Sequence, residues 1–264
     1  MTNQILIDII IFVIAVTMTM VGKGGGNFYI LILAMANIPM HEAAATGQFI
    51  LFSASLTAMF FFHKNKSVSW KLALVTGSLT ALSAFGGGVL SHLFSGLTLK
   101  LIFASMLFIA GAVMLLPVSE KKHCPGKRSF FTLSFESDGE TYGINLLIVI
   151  PVTVVIGFAS GLVGVSGGSF LVPLMVLAAG VSMHTAVGTA SILIALTAFM
   201  GFMGHAIQGD FNPLRAVPLA VVTMIGGILG SKLALKSKPK NLKRLFAYTN
   251  WLAAVMMIIN ITVS

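Results

Sequence analysis

The sequence predicts an all-α polytopic membrane protein of two inverted repeats, each a glycine-broken re-entrant helical hairpin plus three transmembrane helices. Three observations carry that expectation. Of 264 residues, 57% are hydrophobic and 9% charged, which excludes a soluble domain with a large core. Two glycine clusters, Gly22-Lys23-Gly24-Gly25-Gly26 and Gly164-Val165-Ser166-Gly167-Gly168, interrupt apolar stretches at matching places. The basic residues divide between loops in a way that favours an odd number of crossings per half.

Apolar runs cover residues 5–21, 28–38, 43–62, 72–94, 101–118, 144–163, 170–181, 185–207, 214–235 and 245–262. A helix needs about 20 such residues to span a bilayer, so 28–38 and 170–181 are too short and read as re-entrant. In the first half, 5–21 and 28–38 flank the glycine cluster as one hairpin, and three crossings follow. The second half repeats the order with 144–163 and 170–181. The longer limb of each hairpin is long for a half-membrane helix and has the length to tilt or cross. The N-terminal repeat is 1–118, the polar stretch 119–142 a cytoplasmic linker, and the C-terminal repeat 143–264. No basic residue occurs in Met1 to Gln4 and no small-residue cleavage site ends the first run, so that segment is expected in the mature protein. Cys124 is the single cysteine; it cannot form an internal disulfide or a redox pair and reads as an incidental loop thiol.

The halves match in order. Met40-His41-Glu42-Ala43 corresponds to Met183-His184-Thr185-Ala186, His63 to His205, and Gly86-Gly87-Gly88 to Gly226-Gly227. These later glycines read as close helix contacts. With four crossings per half, the loop lysines and arginines would divide almost evenly between the two faces. With three crossings and a re-entrant hairpin, thirteen fall on one face and only Lys100 and Arg215 on the other. The positive-inside rule selects the second arrangement, which inverts the repeats and puts both chain ends outside the cytoplasm. The net charge of +9 is therefore a topology signal, and no nucleic-acid partner is expected.

Backbone unwinds inside a bilayer only where protein or a water-filled cavity satisfies it, and paired breaks point to a transporter's substrate site. The amides of Gly24 to Asn27 and of Gly167 to Phe170 are expected to be free at helix N-termini, where anions bind. Gly24, Gly25, Gly26, Asn27, Ser166, Gly167, Gly168 and Ser169 are accordingly candidate ligands for a small anion, Asn27 and Ser169 also as N-caps. Lys23, a costly charge at membrane depth, is the expected counter-charge, with snorkelling to an interface as the alternative. Thr46 and Gln48 in one half, and Thr189 and Ser191 in the other, open the following helices and are candidate pocket polar groups. His41 and His184 read as interface residues, His63 and His205 as structural hydrogen-bonding groups, and Asp8 as interfacial.

The paired breaks, with Pro173, Ala186-Val187-Gly188-Thr189-Ala190-Ser191, His205 and Gly209, resemble the sulfite exporter TauE/SafE family, also called toluene sulfonate uptake permeases. The first half is looser, with Leu31 at the proline position and Ala43-Ala44-Ala45-Thr46-Gly47 for the Ala-x-Gly-Thr stretch. The resemblance covers nearly the whole chain and implies an alternating-access carrier of sulfite, organosulfonates or similar anions in the cell inner membrane, working in export. An uptake permease or a channel for a related anion is the alternative. An intramembrane serine hydrolase using Ser166, with His184 or His205 as base, is a further reading, but the first half has Gly24 where Ser166 stands. No catalysis, cofactor or metal is expected, and His41-Glu42 lacks the second histidine of a His-Glu-x-x-His zinc motif. The partners expected are the anion and the lipid bilayer, with a homodimer left open.

Overall fold

The computed structural model describes residues 2–115, 132–137, 140–165, 167–178 and 180–263. The first half contains α1 (Thr2–Met20), α2 (Gly26–Met35), α3 (Met40–Lys64), α4 (Trp70–Leu90) and α5 (Gly96–Leu115). The second contains α6 (Leu146–Val163), α7 (Gly168–Ala178), α8 (Met183–Ile207), α9 (Pro213–Lys236) and α10 (Pro239–Val263). The helical framework is as expected. The linker adds one antiparallel hairpin, β1 (Thr132–Ser137) and β2 (Glu140–Asn145), registered from Thr132 opposite Asn145 to Ser137 opposite Glu140. The sequence signal was Asp138-Gly139 between two short alternating stretches, a strong hairpin dipeptide.

Among the described residues seven helices are long and apolar enough to cross a membrane: α3, α4, α5, α6, α8, α9 and α10. Six of these are the expected crossings. The seventh, α6, is the longer limb of the second hairpin, so this hairpin pairs a near-full-depth limb with the 11-residue α7. Leu74, Leu82, Phe108, Leu147, Val155, Val221 and Leu252 point outward as a lipid-facing surface. Helices α3 and α8 are the most enclosed of the seven.

Packing obeys an exchange of the two halves. Helix α4 lies on α6 and α8, and its counterpart α9 lies on α1 and α3; α3 packs on α8, and α5 on α10. Glycines set the approach. A Cβ at Gly87 would stand 2.1 Å from Phe158 O on α6, and one at Gly230 2.4 Å from Val16 O on α1. Gly88 and Gly227 similarly admit α8 and α3, while Gly86 faces open space. The helix ends give relative direction. Glu42 in the first turn of α3 pairs with Arg215 in the first turn of α9. Ser69, just past α3, donates its amide to Thr189 Oγ1 in the second turn of α8 at 3.0 Å. Helices α3 and α8 therefore run antiparallel.

Candidate functional site

Each break begins with the same turn. At the end of α1, Gly22 donates to Thr19 O and Lys23 to Met18 O; at the end of α6, Gly164 donates to Gly161 O and Val165 to Ser160 O. This pattern closes a helix through one left-handed residue, and Gly22 and Gly164 hold φ of +77° and +80°. Each of these glycines also presses on the fifth residue of the other half's long helix: Gly22 on Val187 of α8, Gly164 on Ala44 of α3. The chain then reverses. Gly24 meets Leu51 and Ile194, each one residue before the midpoint of the 25-residue helices α3 and α8, and Gly168 meets Ile194 and the carbonyl of Gly22. The two breaks thus touch beside the middles of α3 and α8.

Asn27 Nδ2 donates to Ser169 Oγ at 2.7 Å, a direct bond between the halves. The N-cap expectation for these two is corrected: both lie inside their helices, and Gly25, at φ +95°, holds the cap position of α2. Phe28 and Tyr29 donate back to Gly25 O, and Phe170 and Leu171 to Gly167 O, so the Phe170 amide is engaged rather than free. Among the described residues, the amides of Gly24, Gly25, Gly26 and Asn27, and of Gly167, Gly168 and Ser169, have no acceptor. Ser166 lies outside the described residues.

Lys23 does not snorkel. It is 1% exposed, and its ammonium donates to Phe246 O at 2.6 Å, Thr249 Oγ1 at 2.7 Å and Asn250 Oδ1 at 2.7 Å, all on α10. The Phe246 ring lies under it, 4.2 Å from Nζ to centroid. All three donors of the ammonium are therefore used on neutral oxygens. Asn250 also approaches Asn27, linking lysine and seam.

The polar groups on the long helices divide. Gln48 reaches the second break, with Nε2 3.3 Å from Ser160 O and 3.5 Å from Val165 O. Thr46 Oγ1 is buried and has no partner. Thr189 accepts from Ser69, and Ser191 donates to Gly188 O of its own helix, as membrane hydroxyls commonly do. His205 is buried, with Nε2 2.9 Å from Gly161 O, and exposed His63 accepts from Trp70 Nε1.

Sequence reasoning overlooked Thr249 and Asn250, although an asparagine in an apolar run was a readable signal. It also overlooked Tyr29, Ser55 and Ser160, whose buried hydroxyls have no hydrogen-bond partner among the described residues. A Cβ at Gly25 would stand 2.6 Å from Tyr29 OH and one at Gly24 2.8 Å from Ser55 Oγ, so these hydroxyls lean over the first break. Asn27 Oδ1, Gln48 Oε1 and Asn250 Nδ2 are likewise buried and unpartnered. Most buried polar atoms in proteins find a partner, so such a concentration at one seam calls for a ligand or water. Away from the seam, a cavity of about 580 Å³ between α5, α6 and α7 is lined by Met106, Ile109, Val152, Val155, Phe170 and Leu174, all apolar side chains.

The family model for the sulfite exporter TauE/SafE matches residues 8–257. The chain belongs to this family. It is 24% identical over 234 residues to the "Probable membrane transporter protein YunE" of Bacillus subtilis, covering 85% of this chain and 86% of the relative. A "Probable membrane transporter protein" of Methanocaldococcus jannaschii is 27% identical over 247 residues, covering 89% and 86%. No solved structure matches. Family and helices together make the chain a multi-pass membrane transporter.

Proposed function

We propose that this protein is an alternating-access carrier that exports small sulfur-containing anions, sulfite or organosulfonates, across the cell inner membrane without catalysis. One observation carries the reading: a buried lysine ammonium, solvated only by neutral oxygens of α10, beside two breaks whose amides lack acceptors. Lys23 has three neutral acceptors and no carboxylate partner among the described residues, which leaves its charge to an entering anion. Lys23 exchanges its α10 oxygens for the substrate. The amides of Gly24 to Asn27 and Gly167 to Ser169, with the hydroxyls of Tyr29, Ser55 and Ser160, complete the cradle. Substrate entry breaks the Asn27–Ser169 bond and opens the seam. The sulfur class and the direction rest on the family's description as a sulfite exporter.

The antiparallel course of α3 and α8, with the thirteen-to-two division of basic residues, supports inverted repeats with the α3–α4 loop, the linker and the α9–α10 connection in the cytoplasm. Against the hydrolase alternative, both ring nitrogens of His205 are engaged, Nε2 with Gly161 O and Nδ1 with Ser91, while His184 bonds Ser237 O through Nε2. The test is flux of labelled sulfite and of an organosulfonate in proteoliposomes, with Ser166→Ala alongside. Saturable flux retained in Ser166→Ala supports the carrier; absence of flux and of binding for every small anion tried overturns it.

A further inference from the structure

Far from the seam, where α3 begins, the fold gathers three residues that sequence spacing does not connect. His41 stands in the first turn of α3, His92 in a short 3-10 turn (Ser91–Leu93) between α4 and α5, and Asp210 just beyond α8. One metal-ligating atom from each lies within 4.8 Å of the others. We propose that His41, His92 and Asp210 form a binding site for a divalent transition-metal ion of the zinc class, its remaining coordination position open to the adjoining cavity.

The arrangement is built rather than incidental. Helix α8 ends through Gly209 at φ +85°, with Asp210 donating its amide to His205 O, which fixes where the carboxylate starts. Asp210 Oδ2 lies 2.9 Å from His92 Nε2 and 3.6 Å from His205 Nδ1. The rings of His41 and His92 stack with centroids 4.6 Å apart and planes 6° from parallel. His41 Nδ1 is buried and has no partner among the described residues.

Two imidazole nitrogens and one carboxylate oxygen are a zinc-class donor set, too poor in oxygen for magnesium or calcium. Ligands about 2.0–2.2 Å from a tetrahedral metal sit about 3.4 Å apart, so closing the site requires shifts of about 1 Å. His205, bonded to Gly161 O, is placed to orient Asp210 from behind. A cavity of about 510 Å³ bordered by Pro39, His41, Glu42, Asp210 and Asn212 gives access, with Glu42 turned to Arg215. His41 and His92 belong to the first half and Asp210 to the second, so a bound ion ties the halves together at this end.

The experiment uses purified full-length protein carrying Cys124→Ser, stripped with chelator and titrated with Zn²⁺ and separately with Co²⁺. Expected are one equivalent of tight Zn²⁺ binding not displaced by excess Mg²⁺, at least tenfold weaker binding in His92→Ala and Asp210→Asn, and unchanged affinity in His63→Ala. His92→Cys should restore affinity and add a thiolate-to-Co²⁺ charge-transfer band, a readout that a merely structural histidine would not produce. No binding by the unmutated site, equal binding by His92→Ala, or absence of that band in a folded His92→Cys would each overturn the site.

Discussion

Replacing Lys23 by methionine keeps most of the side-chain volume and removes the charge. Two unit charges 4 Å apart interact by about 4 kcal/mol at the effective dielectric of about 20 that suits protein sites. The three hydrogen bonds now made to Phe246 O, Thr249 Oγ1 and Asn250 Oδ1 are exchanged for bonds to the anion, so that contribution largely cancels. Desolvating the anion takes back part of the Coulomb gain. About 2 kcal/mol is left, which at about 1.4 kcal/mol per decade is a roughly thirtyfold rise in Kd. The assay is anion binding by thermal shift together with proteoliposome flux, on protein that elutes as a single species. Lys23→Arg is the companion variant: it keeps the charge but replaces a compact three-donor ammonium with a planar fork, and should retain part of the affinity. Binding by folded Lys23→Met within twofold of the parent would remove the lysine from the site and refute the reasoning.

Other consequences are separate. Gly164→Ala should lower yield and melting temperature sharply, because φ is +80° and the new Cβ would stand 2.5 Å from Ala44 Cα, whereas Gly86→Ala, with open space around it, should be neutral. The left-handed conformation alone costs a non-glycine residue about 1–2 kcal/mol. In a Cys124→Ser background, Asn65→Cys and Ser237→Cys should label from the cytoplasmic face and Asn212→Cys from the other; labelling of 65 and 237 from opposite faces would reject inverted repeats. Asp210 has a lowered folded pKa, so its contribution to stability is present above the ordinary carboxylate value near 3.8 and is lost as pH falls through the folded value. Asp210→Asn should therefore flatten the acid limb of a melting-temperature profile, and an unchanged limb would contradict this.

What could be read from residues alone follows from how local each feature is. The breaks were legible because a left-handed turn inside an apolar run demands glycine, and both halves repeat it at Gly22 and Gly164. The six expected crossings were legible because length and hydropathy need no contacts. The partner of Lys23 was not, since Asn250 lies 227 positions away on a helix that belongs to the other repeat. Asn27 looked like a cap by its place after the glycines, but the glycine at 25 adopts that conformation more cheaply and leaves the asparagine to reach across to Ser169. Thr189 and Ser191 show the opposite failure: each has a polar group of the right kind, yet helix backbone and the Ser69 amide occupy them. The His41, His92 and Asp210 cluster depends on three separate turns converging, which no spacing rule reports.

Protection of the closed seam by cargo is the most direct measurement. Ser169→Cys, made in the Cys124→Ser background, is alkylated slowly with a small maleimide in increasing concentrations of an organosulfonate, chosen because it is not a nucleophile towards the reagent. The rate should fall along a saturation curve whose midpoint matches the thermal-shift Kd. Binding that leaves the alkylation rate unchanged at every concentration would put the anion somewhere other than between the two unwound stretches.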